Sequence, residues 1–451
     1  MSYQKAIEFL DSLYNHERDA QRISPLQFHL DAIVQVLKKL GNPHLEYPVV
    51  HITGTKGKGS VAAMLTAILK SAGIKVGTYT SPHLIDVRER IAINGKMISQ
   101  KKFIEAINAA RKYMGKRPKE FGTYFEALTS AAFWIFAKEK TDIAVIEVGM
   151  GGTYDATNVV SPEIAVLTRI GLDHTERLGE TIAKIATDKA GIIKLKCKVV
   201  VSPQEKEALI PIMARAQNAG AEIYRCISTK DKNSRKISSK TDLKIVDFSY
   251  DLVSKTLDGT DVVINLPGSS FSVRLPVIGG FQGENAATAA MTASLLKISQ
   301  DKIIAGLEKA KILGRMQLVH RRPNIIIDGA HNPTSAETTA YELLTLGLAP
   351  AIFVIAINSP KDFRKMLMAW AKVAKLFIFT TTGSSRSYDP QMLASEAEHS
   401  FGIRALIENS PENAVERAME ISAKDGTIFT AGSLYLAGKL LNCFKKRCNI
   451  H

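Results

Sequence analysis

The chain has 451 residues, too many for one compact core, so two or three domains are expected. Hydrophobic residues at 45% and charged residues at 23% are the proportions of a globular soluble protein. The net charge of +15 either draws polyanionic ligands through the summed field or is a surplus of solvated surface lysines. No basic run alternates with aromatic residues as a nucleic-acid groove requires, so no nucleic-acid partner is expected. Lys230 to Lys240 is the nearest approach, and its mixture with serine reads as a mobile loop. Cys197, Cys226, Cys443 and Cys448 show no metal-ligand spacing, and a disulfide framework is not expected in so large a chain. Residues 1–10 are amphipathic and charged, unlike a signal peptide, and no apolar run reaches the length of a membrane span. A cytoplasmic address without a membrane partner is the expectation.

Residues 3–40 read as two helices around Ser24-Pro25, with Gly41-Asn42-Pro43 ending the second. A β-branched apolar run from Val49 then predicts a buried strand. It leads into Gly54, Thr55, Lys56, Gly57, Lys58, Gly59 and Ser60, and after Ser60 into good helix formers at helical spacing. Strand, glycine loop and helix start together make a phosphate cradle, because glycines let backbone amides approach the oxygens and the helix presents its positive end. Lys58 is placed to reach the terminal phosphates and Ser60 to bind phosphate or a metal ion. The loop is shorter than a Walker loop, and Gly59 separates lysine from serine. An ordinary glycine-rich turn is the weaker alternative. The flanking strand and helix favour a nucleotide site.

Beyond it, residues 75–80 predict a strand, Asn94-Gly95 a tight turn, and 100–112 and 124–138 helices. Residues 142–149 and 164–168 predict buried parallel strands, 181 onward a helix, and 198–201 another strand. Residues 240–280 alternate instead, predicting an antiparallel extension of the sheet. A helix pair at 284–311 precedes a new α/β series with strands near 324, 352, 376 and 427. The expected division is a 1–315 domain and a 316–451 domain.

Glu147 stands where open parallel sheets hold ligands, and His174 at the end of the next strand. Glu147 ends a predicted strand, and a carboxylate there suits magnesium bridging to nucleotide phosphates, or is an ordinary surface charge. His174 is less typical for magnesium and alone reads as a loop histidine, while Ser81 alone reads as a turn hydroxyl.

The wording of the motifs goes further. His51-Ile-Thr-Gly-Thr-Lys-Gly-Lys-Gly-Ser60, Thr80-Ser-Pro-His-Leu84, Glu89-Arg-Ile91, Thr123-Tyr-Phe-Glu126, Glu147-Val-Gly-Met-Gly-Gly152, Asp155-Ala-Thr-Asn158, Asp173-His174 and Lys189-Ala-Gly-Ile-Ile-Lys194 follow one another in the first part. Asn285-Ala-Ala-Thr-Ala289, Gly314-Arg315, Asp328-Gly-Ala-His-Asn-Pro333 and Gly432-Ser-Leu-Tyr435 follow in the second. In this order and over nearly the whole chain, they resemble the folylpolyglutamate synthase and dihydrofolate synthase family of the Mur ligase group. The resemblance implies a P-loop-type, mostly parallel sheet domain with an antiparallel extension, followed by a smaller Rossmann-like α/β domain.

It also implies a Mg-ATP-dependent ligase that joins L-glutamate to dihydropteroate and to folates. The substrate carboxylate attacks the γ-phosphate, and the amine of glutamate then attacks the acyl phosphate. By the same resemblance, Lys58 and the loop amides hold phosphates, and Asn285, Arg315, Asp328 and His331 contact ATP. Ser81, Glu147 and His174 match magnesium ligands, with a monovalent cation as a further helper. Lys189 matches a lysine carried as a carbamate, or serves unmodified as a phosphate-binding cation. Thr123, Tyr124, Phe125 and Glu126, the region of Ile23 to Pro25, and Thr153, Tyr154 and Asp155 match the wall that receives the pterin. Lys58, Lys189 and His174 are the expected catalytic set, in a monomer acting on small molecules. The family's Gly-Gly-Arg-Leu-Asp is here Gly151-Gly152-Thr153-Tyr154-Asp155, its glutamate before the modified lysine is Asp188, and its Lys-Asp-Lys-Asp-like stretch is Pro360-Lys361-Asp362. Alternatives are an enzyme that only extends folates, a ligase for cell-wall peptide precursors, and a P-loop switch without ligase chemistry. The Ser81 to Leu84 and Thr123 to Glu126 stretches argue against the cell-wall ligase.

Overall fold

The structure, a computed structural model, describes residues 1–15, 29–114, 122–228 and 243–448. The expected loop at 230–240 and the Ile23 to Pro25 part of the pterin wall lie outside the described residues.

The apolar run that opens the glycine loop is β1 (Val49–Thr53), buried along its whole length because its sheet carries helices on both faces. It pairs in parallel with β5 (Ile143–Glu147) on one side and β6 (Ile164–Leu167) on the other. Beyond β5 runs β2 (Val76–Tyr79), and beyond β6 run β7 (Lys198–Val201) and β8 (Glu222–Ser228), all parallel. A hairpin of β3 (Ile91–Ile93) and β4 (Lys96–Met97) closes one edge antiparallel to β2. It turns at Asn94-Gly95, both at positive φ, as a two-residue hairpin loop demands.

At the other edge β9 (Ile245–Thr256) continues the parallel run. β10 (Gly259–Leu266) and β11 (Ser269–Leu275) are antiparallel, as their alternation requires: Val262, Ile264 and Leu266 are buried and the residues between them are not. Among the described residues the order is β11-β10-β9-β8-β7-β6-β1-β5-β2-β3-β4. The helix Lys58–Ser71, with Phe281–Leu295 and Gln300–Leu307, covers one face. Tyr124–Lys138 and Gln100–Tyr113 cover the other, together with the N-terminal helices.

A second sheet follows, built of β12 (Gln317–His320), β13 (Asn324–Ile327), β14 (Ala351–Ile355), β15 (Ala374–Phe379), β16 (Ala405–Ile407) and β17 (Thr427–Ala431). Its order among the described residues is β12-β13-β17-β14-β15-β16, parallel except for β12. This is the Rossmann-like arrangement expected. β12 and β16 escape the sequence pattern because both are short edge strands that face solvent on one side.

The phosphate-loop helix begins at Lys58, earlier than the apolar periodicity indicated, so Lys58, Gly59 and Ser60 form its first turn. Among the described residues no helix is long and apolar enough to cross a membrane, and Cys197, Cys226 and Cys443 are unpaired.

Candidate active site

β1 delivers the chain into a loop whose backbone only glycine tolerates at two points. Gly54 has φ +149°, and a Cβ there would stand 1.9 Å from Thr168 Oγ1. Gly57 has φ +90°, and a Cβ there would stand 2.4 Å from Asn285 Oδ1. These close approaches clamp the loop between the end of β6 and the helix Phe281–Leu295. The amides of Thr55 and Lys56 both donate to the Arg169 carbonyl at 2.9 and 3.0 Å, so they brace the loop. The first helical amide bond is Val61 N to Gly57 O, which leaves the amides of Lys58, Gly59 and Ser60 as the ones that precede the ladder. The anion-facing part of the cradle is therefore the first turn of the helix rather than the whole loop.

Cations concentrate around it. Lys58 Nζ and Lys189 Nζ both donate to the Gly54 carbonyl, at 3.1 and 3.0 Å. Lys189 ends the helix Ile182–Lys189 and is 4% exposed. Burial and the neighbouring Lys58 ammonium pull its pKa down to about 7, against the pull of Asp188. Lys56 falls to about 7 for the same reason, desolvation, with Arg315, Lys58 and Lys361 adding to it and Asp173 opposing.

Glu147 stands at the end of β5, 3% exposed, and its Oε2 accepts from Ser81 N at 3.2 Å. Burial raises its pKa while Lys58 lowers it. His174, 45% exposed at its side chain, lies at φ 51° just after β6, with Nδ1 3.8 Å from Glu176 Oε1. Ser81, Glu147 and His174 line one cleft, and among the described residues no group of three His, Cys, Asp or Glu side chains stands at metal-holding range. A buried carboxylate beside a serine supplies the oxygen donors that magnesium prefers.

The cleft has a volume of about 2520 Å³ and lies between the two sheets' helices, with lining from both. Lys56 through Ser60, Asn285, Arg315, Asp328 and His331 all line it. Gly54 and Lys189 line a small adjoining cavity of about 30 Å³ with Lys58 and His174. Asp328 uses its oxygens on the backbone: Oδ2 accepts from Met316 N at 2.7 Å and Oδ1 from Ala330 N at 2.6 Å. It thereby fixes the chain that carries Arg315. His331 Nδ1 lies 2.8 Å from the Gly329 carbonyl, and burial depresses its pKa to about 3, so the ring is neutral.

On the opposite wall, Thr123 and Glu126 form a reciprocal cap on the helix Tyr124–Lys138: Thr123 N donates to Glu126 Oε2 at 2.6 Å, and Glu126 N to Thr123 Oγ1 at 3.2 Å. Phe125 lies against Gly149, where a Cβ would stand 2.6 Å from its ring. Tyr154 is 57% exposed on the cleft wall. Asp155 also lines it, but its carboxylate accepts from the amides of Met150 and Thr157 and from Thr157 Oγ1. Two expected wall residues stand behind it. Tyr124 lies under the Arg90 guanidinium, 5.4 Å from ring to Cζ, and Thr153 Oγ1 donates to the Asp188 carbonyl at 2.9 Å. They support the wall and do not form part of its lining.

Sequence reasoning did not foresee a contact that joins the lobes. Asp173, after β6, accepts from Asn332 Nδ2 at 3.2 Å and Lys361 Nζ at 3.4 Å. Burial opposes its ionisation, but Lys361, His174 and Lys56 outweigh it and hold its carboxyl below the usual range. At the far side, Lys255 Nζ meets Glu342 Oε2 at 2.6 Å, and Glu342 Oε1 accepts from Gly280 N at 3.0 Å. Asp173, Asn332 and Lys361 each stand within a quoted motif, but 159 or more residues separate Asp173 from its partners, and Lys255 and Glu342 belong to no quoted motif.

The Mur ligase middle domain matches residues 52–293, and the Mur ligase, glutamate ligase domain, matches residues 314–434. A Haloferax volcanii protein named "Probable bifunctional folylpolyglutamate synthase/dihydropteroate synthase" is 30% identical over 443 residues, covering 97% of this chain and 50% of that protein. The chain thus spans about half the length of that relative. The dihydrofolate synthase/folylpolyglutamate synthase of Bacillus subtilis is 30% identical over 425 residues, covering 90% of this chain and 92% of that protein. The structure of Mycobacterium tuberculosis folylpolyglutamate synthase complexed with ADP superposes with a TM-score of 0.85 at 28% identity, covering 98% of each chain.

Proposed function

This chain belongs to the Mur ligase family, with folylpolyglutamate and dihydrofolate synthases as its relatives, and from that premise we propose that it is an ATP-dependent ligase joining L-glutamate to dihydropteroate and to folates. The observation that carries the reading is the cleft itself, where a phosphate-loop helix start, a buried carboxylate and residues of the second lobe share one space, with Lys58 meeting Lys189 on the Gly54 carbonyl at its adjoining cavity.

A carboxylate is a poor electrophile, and phosphorylation gives it a leaving group. The acceptor carboxylate attacks the γ-phosphorus of ATP and ADP leaves. The amine of glutamate then attacks the acyl carbon, phosphate departs, and the amine loses its proton. The chain's part is to hold two anions together and offset their repulsion. Lys58 and the amides of Lys58, Gly59 and Ser60 hold the β- and γ-phosphates. Arg315, at the junction of the lobes and braced by Asp328, faces the phosphates, and Asn285 borders the nucleotide. His331, neutral, faces the same space. Ser81 and Glu147, with His174, would hold a magnesium ion, which would neutralise phosphate charge. A Lys189 amine with a pKa near 7 reacts with carbon dioxide in its neutral form, so passing from the ammonium to the carbamate releases two protons and turns a cation into an anion. Phe125 and Tyr154 give the acceptor ring its apolar wall. The division between the domains falls near residue 315, just before β12 begins at Gln317. The protein acts in the cytoplasm as a monomer.

An enzyme restricted to extending folates is a second reading, favoured by the exposed Tyr154 where the family has leucine. A P-loop switch has no need of Arg315, Asp328 or the Asp173 contacts. Release of phosphate is the test: dependence on both acceptor and glutamate marks a ligase, and acceptor-independent hydrolysis marks the switch.

A further inference from the structure

The cleft continues past the phosphate loop. One face of the helix Lys58–Ser71 lines it from start to end, with Gly59, Ala63, Ala67 and Lys70 at helical spacing. At 1.5 Å per residue this path is about 16 Å long. Small residues flank it. Ala63 and Ala67 form the floor, and opposite them Gly95 lacks a side chain, where a Cβ would stand 3.6 Å from Thr66 Cγ2. Such walls leave a groove suited to a slender chain.

The far end is cationic. Lys70, Lys309, Lys311 and Lys445 all line the cleft and are exposed. Close packing joins the elements that carry three of them. A Cβ on Gly306 would stand 2.3 Å from Ile68 Cα, so the chain leaving the helix Gln300–Leu307 carries Lys309 and Lys311 past the turn that bears Lys70. A Cβ on Gly438 would stand 2.0 Å from the Leu84 carbonyl oxygen, which packs the final helix against Leu84, and Lys445 farther along that helix lines the same cleft. None of the four ammonium groups has an ion-pair or hydrogen-bond partner among the described residues. Glu89, a carboxylate lining the cleft on this side, is already engaged by the amides of Leu84, Ile85 and Asp86.

Resting on the ligase reading above, we propose that this groove binds the anionic tail of an acceptor that already carries several γ-linked glutamates. The terminal carboxylate meets the phosphate site at the near end, and the preceding α-carboxylates run out along the helix to the four lysines, so the ring of a long acceptor leaves the Phe125 and Tyr154 wall that receives it in a short one. A chain with one carboxylate per residue on a thin backbone matches both the small walls and the unpaired charge.

The test is a K70Q/K309Q/K311Q variant, in which three exposed side chains change and the core does not. KM for an acceptor with several glutamates should rise roughly tenfold (about 1.4 kcal/mol). KM for a monoglutamylated acceptor and for ATP should stay as in the unmodified protein. Added salt should raise KM for the long acceptor in the unmodified protein and much less in the variant. Equal changes for both acceptors, no change at all, or a rise confined to ATP would each overturn the proposal, the last by giving the groove to the nucleotide. If the unmodified chain adds no glutamate to the monoglutamylated acceptor, the ligase reading has failed instead, before any variant is made.

Discussion

Lys58 and Lys189, 131 residues apart in sequence, aim their ammonium groups at one oxygen, the Gly54 carbonyl, from 3.1 and 3.0 Å. One comes from the start of a helix and the other from the end of another. A single neutral carbonyl cannot balance two cations in so dry a place, which is why the lysine that is almost fully buried surrenders its charge near pH 7. The arrangement creates a demand for anion that a nucleotide phosphate satisfies.

Lys58→Ala should therefore abolish ligation while leaving the fold intact, because its one described hydrogen bond is to the loop carbonyl. A loss of roughly 10²–10³ in kcat is the scale for removing a group that stabilises charge in the transition state. Turnover and thermal unfolding, measured side by side, check this. Normal turnover would remove the phosphate-site assignment.

Lys189→Ala should lose activity that formate or acetate partly restores, since either acid supplies the anion that a carbamate would place there. The pH dependence has a defined sign. The folded pKa is depressed to about 7, so the amine that reacts with carbon dioxide is neutral above that value and protonated below it. Activity should fall as pH drops through about 7 and recover with added bicarbonate. No rescue by either acid would leave Lys189 a plain cation.

Glu284, beside Asn285, is buried with Arg169 Nη1 3.3 Å away, and burial raises its pKa to about 7 against that pairing. A carboxyl raised in the folded state stabilises fully below its unfolded pKa, and that contribution is lost as pH rises through the folded value. Glu284→Gln should thus gain stability relative to the unmodified protein above pH 7, on the order of 1–3 kcal/mol, with the gain vanishing near pH 4. Urea denaturation at pH 4.5 and pH 8 reads the difference. An equal effect at both values would show that Glu284 is ionised throughout.

The Asp173–Lys361 contact should hold the lobes together. Removing either partner should weaken ADP binding, and a double-mutant cycle of Asp173→Ala and Lys361→Ala should give a coupling of about 1 kcal/mol. Additive effects would mean that the two groups act separately on the nucleotide.

Tyr154→Ala should raise KM for a pterin-bearing acceptor roughly tenfold and leave KM for ATP alone, as expected when an aromatic contact of about 1 kcal/mol or more is removed. Unchanged acceptor affinity would take Tyr154 off the wall.

Much of this was legible in residues that act through local patterns. The glycine loop, the strand ending in Glu147 and the alternation of β10 announce themselves within a dozen residues, because backbone conformation and burial are dictated there. Contacts between lobes are not written that way. Asp173 meets Lys361 across 188 residues, and nothing in either neighbourhood records the other. Side-chain direction was equally hidden: Thr153 and Tyr154 are adjacent, yet one turns inward to the Asp188 carbonyl and the other faces the cleft. Asp328 lines the cleft with the rest of its motif, and what the motif did not announce is that each of its oxygens also accepts from a backbone amide.

Oxygen tracing bears most directly on the claim that the two lobes activate a carboxylate by phosphorylating it. The protein, ATP and glutamate are incubated with an acceptor whose carboxylate carries ¹⁸O, and the released phosphate is examined by mass spectrometry. An acyl phosphate passes a labelled oxygen from the carboxylate to phosphate, while the acceptor gains a glutamyl residue. Glutamyl product accompanied by unlabelled phosphate would contradict it.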